Sequence, residues 1–124
     1  MIFVFGSNLS GIHGAGAAKY AAKHYGAVYG VGEGMSGKSY ALPTKGINIS
    51  FMTLAEVKPH IQKFIKYAYD HPNDKFQLTQ VGCGLGGFRK EEITPLFINA
   101  SSNIYYDEAW KSLLPQSAQF WGTF

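Results

Sequence analysis

Cysteine, arginine and charge of either sign are scarce in this sequence. The 124 residues contain one cysteine, so neither an intramolecular disulfide nor a multi-cysteine zinc site can form. The four histidines show no metal-ligand spacing, and we predict no metal and no cofactor. Only 15% of the residues are charged, the net charge is +3, and Arg89 is the single arginine, which is weak support for a nucleic-acid surface.

Targeting segments, linkers and long apolar runs are also missing. Residues 1–6 have no basic region ahead of a long apolar run, and no apolar run is long enough to span a membrane. We therefore predict a cytoplasmic protein without a membrane partner. No segment is rich in proline or low in complexity, and the chain has the length of one hydrophobic core. Residues 1–124 are predicted to form a single domain.

Glycine is abundant, with 15 residues, and much of it follows apolar runs. Residues 2–5 form a continuous β-favouring run, followed by a glycine-rich loop over residues 6–16 and a helix-favouring stretch over 17–24. The order recurs with a strand over residues 76–81, a loop over 82–87 and a helix from near Lys90. We predict that the two strands are interior neighbours and that their loops line one cleft.

Weaker patterns complete the predicted fold. Short strands are predicted over residues 27–31 and 39–42, the second ending at Pro43, and an edge strand over 103–106. An amphipathic helix is predicted over residues 53–69, with Thr53 and Glu56 as a capping box and Pro59 marking either a kink or a later start.

A second amphipathic helix is predicted to contain Ile93, Leu96, Phe97 and Ala100. The aromatic C-terminal tail is predicted to pack on the protein or to form an oligomer surface. The alternation of strands and helices predicts a three-layer α/β domain with a mixed, largely parallel sheet.

Residues 32–39 match the P-loop pattern, and the glycines at 32, 34 and 37 match the dinucleotide fingerprint. A P-loop opens directly into a helix, whereas Ser39 is followed by a strand-like stretch and Pro43. We therefore reject the hypothesis that this segment is the phosphate site of a nucleoside-triphosphate hydrolase.

The loop over residues 82–87 has two interpretations. Glycine lets backbone N–H groups approach an anion closely, and a strand feeding a helix through such a loop is a general phosphate site. The alternative is a tight turn that binds nothing. If the loop binds a diphosphate, bulk added at Gly84 or Gly86 should abolish binding and leave the fold intact.

Three segments together resemble a macrodomain, the α/β module that binds ADP-ribose. Residues 3–8 with 11–18 are similar to the first strand and ligand loop, residues 40–45 to the next central strand, and residues 82–88 to the diphosphate loop. Pro-Thr-Lys at 43–45 with Gly-Cys-Gly-Leu-Gly-Gly at 82–87 is similar to the branch of ADP-ribosyl glycohydrolases that includes antitoxins acting on ADP-ribosylated DNA.

The resemblance implies a macrodomain-like three-layer α/β/α fold and a set of site residues. Lys45 would be the catalytic residue. Gly86 stands where some members of the branch carry an acidic residue, so general acid–base catalysis is unassigned. The implied ligand-binding residues are Asn8, Gly11, Ile12, His13, Gly14, Gly16, Gly82, Cys83, Gly84, Leu85, Gly86, Gly87 and Phe88.

Each polar or aromatic candidate also has an ordinary structural role. The amide of Asn8 could bond ribose hydroxyls or its own turn, and Lys45 could be a nucleophilic amine or a solvated lysine. His13 could touch the ligand or cap its loop, and Phe88 could cover a ribose or pack in the core. Cys83 is most simply a small residue packed beneath its loop, because no basic residue adjoins it in sequence.

Three functions follow. The first is hydrolysis of an ADP-ribosyl bond on protein or nucleic acid, and the second is binding of an ADP-ribose-like nucleotide without turnover. The third is a structural or interaction protein that uses its aromatic tail. The glycine loops suit the first two functions equally.

Overall fold

Six strands form one mixed sheet with helices on both faces. The computed structural model describes residues 1–124, and the strands lie in the order β2-β3-β1-β4-β5-β6 with β2 alone antiparallel. The strands are β1 (Ile2–Asn8), β2 (Gly34–Ser36), β3 (Ser39–Lys45), β4 (Phe76–Leu78), β5 (Ile104–Asp107) and β6 (Gln119–Gly122). The helices are α1 (Gly16–His24), α2 (Leu54–Asp70) and α3 (Lys90–Ile93), with 3-10 segments at Ile47–Ile49, Thr94–Phe97 and Glu108–Leu113.

The central strand β1 is buried on both faces, as its continuous apolar run predicts. Phe3 and Phe5 pack under α1 against its alanines. Val4 points the other way, into the larger core formed with α2 and with the segment that follows α3. The sheet is therefore the middle of three layers, and the predicted α/β fold class is confirmed.

Helix α2 begins where the capping box predicts. The Glu56 N–H donates to Thr53 Oγ1 at 3.2 Å, and the Thr53 N–H donates to Glu56 Oε1 at 2.9 Å. Pro59 lies inside the helix, so the alternative of a later start was wrong.

The predicted strand over residues 27–31 was wrong, and β2 lies instead within the following segment, which matches the P-loop pattern. The Val28 N–H donates to Ser36 Oγ at 2.7 Å. A side chain therefore takes the place of a strand-to-strand backbone hydrogen bond at Val28. Gly37 turns between β2 and β3 at φ +61°, and a Cβ there would lie 2.5 Å from the Gly26 carbonyl oxygen. The segment that matches a P-loop is thus a β-hairpin, which agrees with its rejection as a phosphate site.

Pro43 does not end β3. It pairs in register with Ser7 of β1, and β3 continues to Lys45. The antiparallel partner β2 reaches only as far as Ala41. The other edge of β3 is therefore unpaired at Pro43, where a residue without an N–H can be accommodated.

Strand β4 is shorter than the predicted strand over residues 76–81. Both the N–H and the hydroxyl of Thr79 donate to the Val4 carbonyl, at 3.1 and 2.7 Å. The Val81 N–H then turns back to the Thr79 carbonyl at 2.7 Å. The bonds from Thr79 still join β1, whereas the local bond from Val81 replaces the ladder and starts the loop early.

The C-terminal half needs two further corrections. The helix predicted through Ala100 ends as α3 at Ile93, since Pro95 favours the start of a new 3-10 turn. The strand predicted at the edge over residues 103–106 is interior, because β6 pairs with β5.

The tail packs within its own chain. Trp110 is fully buried, and Trp121 Nε1 donates to the Leu78 carbonyl at 2.9 Å. Its use as an oligomer surface stays a prediction. None of the helices combines the length and hydropathy needed to cross a bilayer.

Candidate functional site

A cavity of about 540 Å³ opens at the carboxyl ends of β1, β3 and β4. The chain leaves β1 toward α1 on one face of the sheet, and it leaves β4 toward α3 on the other face. Since neighbouring parallel strands send their connections to opposite faces, a crevice remains between the two loops. Its lining includes residues 6–8, 12, 14–18, 44–45, 49, 79–86 and Phe124.

The first loop is closed by Asn8. Its side chain donates from Nδ2 to the Ile12 carbonyl at 2.8 Å and accepts the Ile12 N–H on Oδ1 at 3.0 Å. Asn8 lines the cavity, but its amide already bonds its own turn. Gly11 lies away from the cavity at φ +70°, where an added Cβ would lie 2.4 Å from the carbonyl carbon of Gly30. Gly11 is therefore a packing glycine.

The start of α1 forms one wall of the cavity. Gly14, Gly16 and the alanines around them line it, and no side chain caps the helix. An added Cβ at Gly14 would meet no atom within 4 Å. The small residues leave the first-turn amides accessible, and the positive end of the helix dipole favours an anion.

The second loop folds back on itself. The Phe88 N–H donates to the Gly82 carbonyl at 2.8 Å, and the Gly87 N–H donates to the Gly84 carbonyl at 3.1 Å. An added Cβ at Gly86 would lie 2.7 Å from the Gly82 carbonyl oxygen, whereas one at Gly84 would enter open space. The expectation that bulk at Gly86 leaves the fold intact therefore conflicts with this geometry.

The second loop divides the predicted residues between cavity and core. Gly82, Gly84 and Leu85 line the cavity, whereas Gly87 and Phe88 do not. Phe88 is partly buried against the main hydrophobic core, which favours its interpretation as a core residue over that of a cover for the ribose.

His13 lies beneath the first loop, outside the cavity lining. It is 1% exposed, and its Nε2 lies 3.0 Å from the Val28 carbonyl oxygen. Its ring also meets Phe5 edge-on, with 5.3 Å between the ring centroids. These contacts favour a role in anchoring the loop.

Cys83 lines the cavity as a half-buried thiol. Burial, assisted by the negative charges of Glu91 and Glu92, raises the pKa of this thiol to about 11. A thiol that stays protonated at neutral pH is a poor nucleophile, so the sequence-based interpretation as a packed residue is supported.

Lys45 is the only charged residue in the cavity lining. It ends β3, and its Nζ lies over the ring of Phe51, 5.0 Å from the centroid. No acidic side chain lines the cavity, and Lys45 forms no ion pair. The cavity therefore combines backbone amides with one cation.

Comparisons with known proteins add no identification. No family model, curated protein or solved structure matches the chain. The likeness to macrodomains thus depends on the motifs of the two loops and of β3.

The sequence did not predict that the C-terminal tail contributes to the cavity lining. Phe124 lines it, with its ring against Tyr20 at 4.9 Å between centroids. Asp107, which is fully buried, holds this wall in place: its Oδ2 accepts the Phe124 N–H at 3.0 Å and the Gln80 amide at 3.4 Å. The only sequence signal was the apolar character of the tail.

Proposed function

We propose that this protein binds ADP-ribose or an ADP-ribose-derived nucleotide in the cavity between the two glycine loops. The observation that carries the proposal is the pair of loops at the ends of neighbouring parallel strands, which surround a cavity without acidic side chains. A volume of about 540 Å³ lies in the range typical of small-molecule sites.

The proposed diphosphate lies between the first turn of α1 and the second loop. Gly14 and Gly84 leave open space beside their backbones, so amides at both places are accessible to phosphate oxygens. Charge supports the same placement, since Lys45 adds a cation and no lining residue is acidic.

The base is proposed to lie at the Phe124 side of the cavity. The aromatic ring offers a stacking surface. Gln80 also lines the cavity, and its side-chain Nε2 donates to Asp107. The side-chain amide oxygen of Gln80 is therefore available as an acceptor for the base. The resemblance to macrodomains then implies that the distal ribose lies toward Lys45.

Hydrolysis of an ADP-ribosyl linkage is the second candidate, favoured by the position of Lys45 in the cavity lining. In that reaction the uncharged amine attacks the anomeric carbon of the distal ribose. The bond from this carbon to the modified group of the protein or nucleic acid breaks, and that group leaves with the bonding electron pair. It takes up the proton that the attacking amine releases. Water then hydrolyses the ribosyl adduct on Lys45 and releases ADP-ribose. The substrate is an ADP-ribosylated protein or nucleic acid, which is left without the modification.

Calorimetry on one protein sample tests the binding proposal. We expect saturable binding of ADP-ribose and weaker binding of AMP. The affinity for cyclic ADP-ribose derivatives, compared with that for ADP-ribose, shows whether the linear or the cyclic nucleotide is preferred. An absence of binding to all three classes of ligand would contradict the proposed function and favour the structural or interaction alternative.

A further inference from the structure

The turn between β3 and α2 contains the only two residues other than glycine with positive φ. Asn48 has φ +56° and Ile49 has φ +60°. Asparagine tolerates the left-handed region, but an isoleucine is a genuine outlier there because its branched Cβ crowds the backbone. The conformation of Ile49 is therefore strained.

Several bonds hold the strained turn in place. The Gly46 N–H donates to the Ser50 carbonyl at 2.8 Å, and Ser50 Oγ donates to the Ile47 carbonyl at 2.9 Å. The Asn48 N–H donates to Ser10 Oγ at 2.8 Å, which ties the turn to the first glycine loop. Strain of this kind persists where the surroundings over-determine a conformation, and it concentrates at ligand clamps.

The side chain of Ile49 lines the cavity although it is 42% exposed. Three other apolar side chains have the same combination: Ile12 at 41% and Leu85 at 63% exposure, each from a different glycine loop, and Phe124 at 51% from the C-terminal tail. Four segments thus place exposed apolar groups around one cavity. The stability of the turn does not explain an isoleucine here, since glycine or asparagine would remove the strain.

We propose that Ile49 is a ligand-contacting residue, held in a strained conformation so that its side chain covers the bound nucleotide. This inference rests on the proposed function and adds a residue that neither the motifs nor the resemblance indicated. Binding covers apolar surface that the free protein leaves in water, which strengthens the complex. The strain is the cost of having that side chain in position before the ligand arrives.

Paired substitutions at one position isolate the strain. Ile49→Gly and Ile49→Ala both remove the side chain beyond Cβ, and only glycine adopts positive φ freely. We expect the glycine variant to melt above the alanine variant by roughly 3–6 °C. Ile98 is the matched control, because it is 71% exposed and has ordinary helical angles of φ −59° and ψ −30°. There the order should reverse, with Ile98→Gly below Ile98→Ala.

Calorimetry with ADP-ribose on the same four variants tests the contact. Both variants at position 49 should bind about tenfold more weakly than the wild type, and both at position 98 should bind as the wild type does. Equal melting temperatures for Ile49→Gly and Ile49→Ala would refute the strain. Wild-type affinity in the position-49 variants would refute the contact while leaving the proposed function intact. Failure of the wild type to bind would refute the proposed function and, with it, this inference.

Discussion

Replacing Gly84 with valine tests whether the second loop binds a diphosphate through its backbone. An added Cβ meets no atom within 4 Å at this position, and Gly84 is not among the glycines with positive φ. Valine should therefore be accommodated in the free protein. Its melting temperature should stay near that of the wild type or rise slightly, because valine restricts the unfolded chain more than glycine does.

The expected loss of affinity follows from the contacts that the side chain would block. Gly84 lines the cavity, so we expect valine at this position to keep a phosphate from approaching the neighbouring amides. A hydrogen bond to a charged group contributes about 1.5–3 kcal/mol, so the loss of two such bonds weakens binding by about 10²- to 10⁴-fold.

Calorimetry with ADP-ribose, together with thermal melting, measures both effects. Two variants serve as controls. Ala55→Val adds bulk at an exposed position of α2 and should bind normally. Gly86→Val should instead lose stability, since its Cβ would lie 2.7 Å from the Gly82 carbonyl oxygen. A folded Gly84→Val protein with wild-type affinity would show that this loop is only a turn.

Three further predictions concern single side chains. If the protein is a glycohydrolase, the Lys45→Ala variant should retain ADP-ribose binding and lose turnover by orders of magnitude. Borohydride should trap a covalent adduct on the wild-type protein. Undiminished turnover by the Lys45→Ala variant would eliminate the lysine mechanism. Burial raises the pKa of the Cys83 thiol from 9.0 to about 11, so iodoacetamide should label Cys83 about a hundredfold more slowly than an unperturbed thiol. If Cys83 were labelled as fast as glutathione, the burial of this thiol would be contradicted. The hydrogen bond from the Thr53 N–H lowers the pKa of Glu56 in the folded protein. The ionised Glu56 carboxylate therefore stabilises the fold above its pKa in the unfolded chain, and this stabilisation is lost as the pH falls through its pKa in the folded protein. Between about pH 6 and pH 3 the melting temperature of the wild type should therefore fall more than that of Glu56→Gln, and equal slopes would refute this assignment.

The elements that could be predicted are those defined by neighbouring residues. The apolar run of β1, the alanine-rich α1 and the capping box of α2 are each specified within one segment. Together with the order of strands and helices, they sufficed for the fold class and for the meeting of the two glycine loops at one cavity. The sequence also placed Gly14, Gly84 and Lys45 among the residues that line it.

Tertiary structure alone decided the features that depend on distant partners. Strand β5 is interior only because Gln119–Gly122 pairs with it, and Phe124 is held at the cavity by the bond from its N–H to buried Asp107 and by its ring contact with Tyr20. The left-handed conformation of Ile49 likewise has no local signal, since nothing about isoleucine favours positive φ. Such features cost free energy locally, and contacts made elsewhere in the fold compensate for that cost. A sequence read in short windows therefore determines elements such as β1, α1 and the cap of α2, whereas the assembled fold determines how the strands are ordered and which side chains line the cavity.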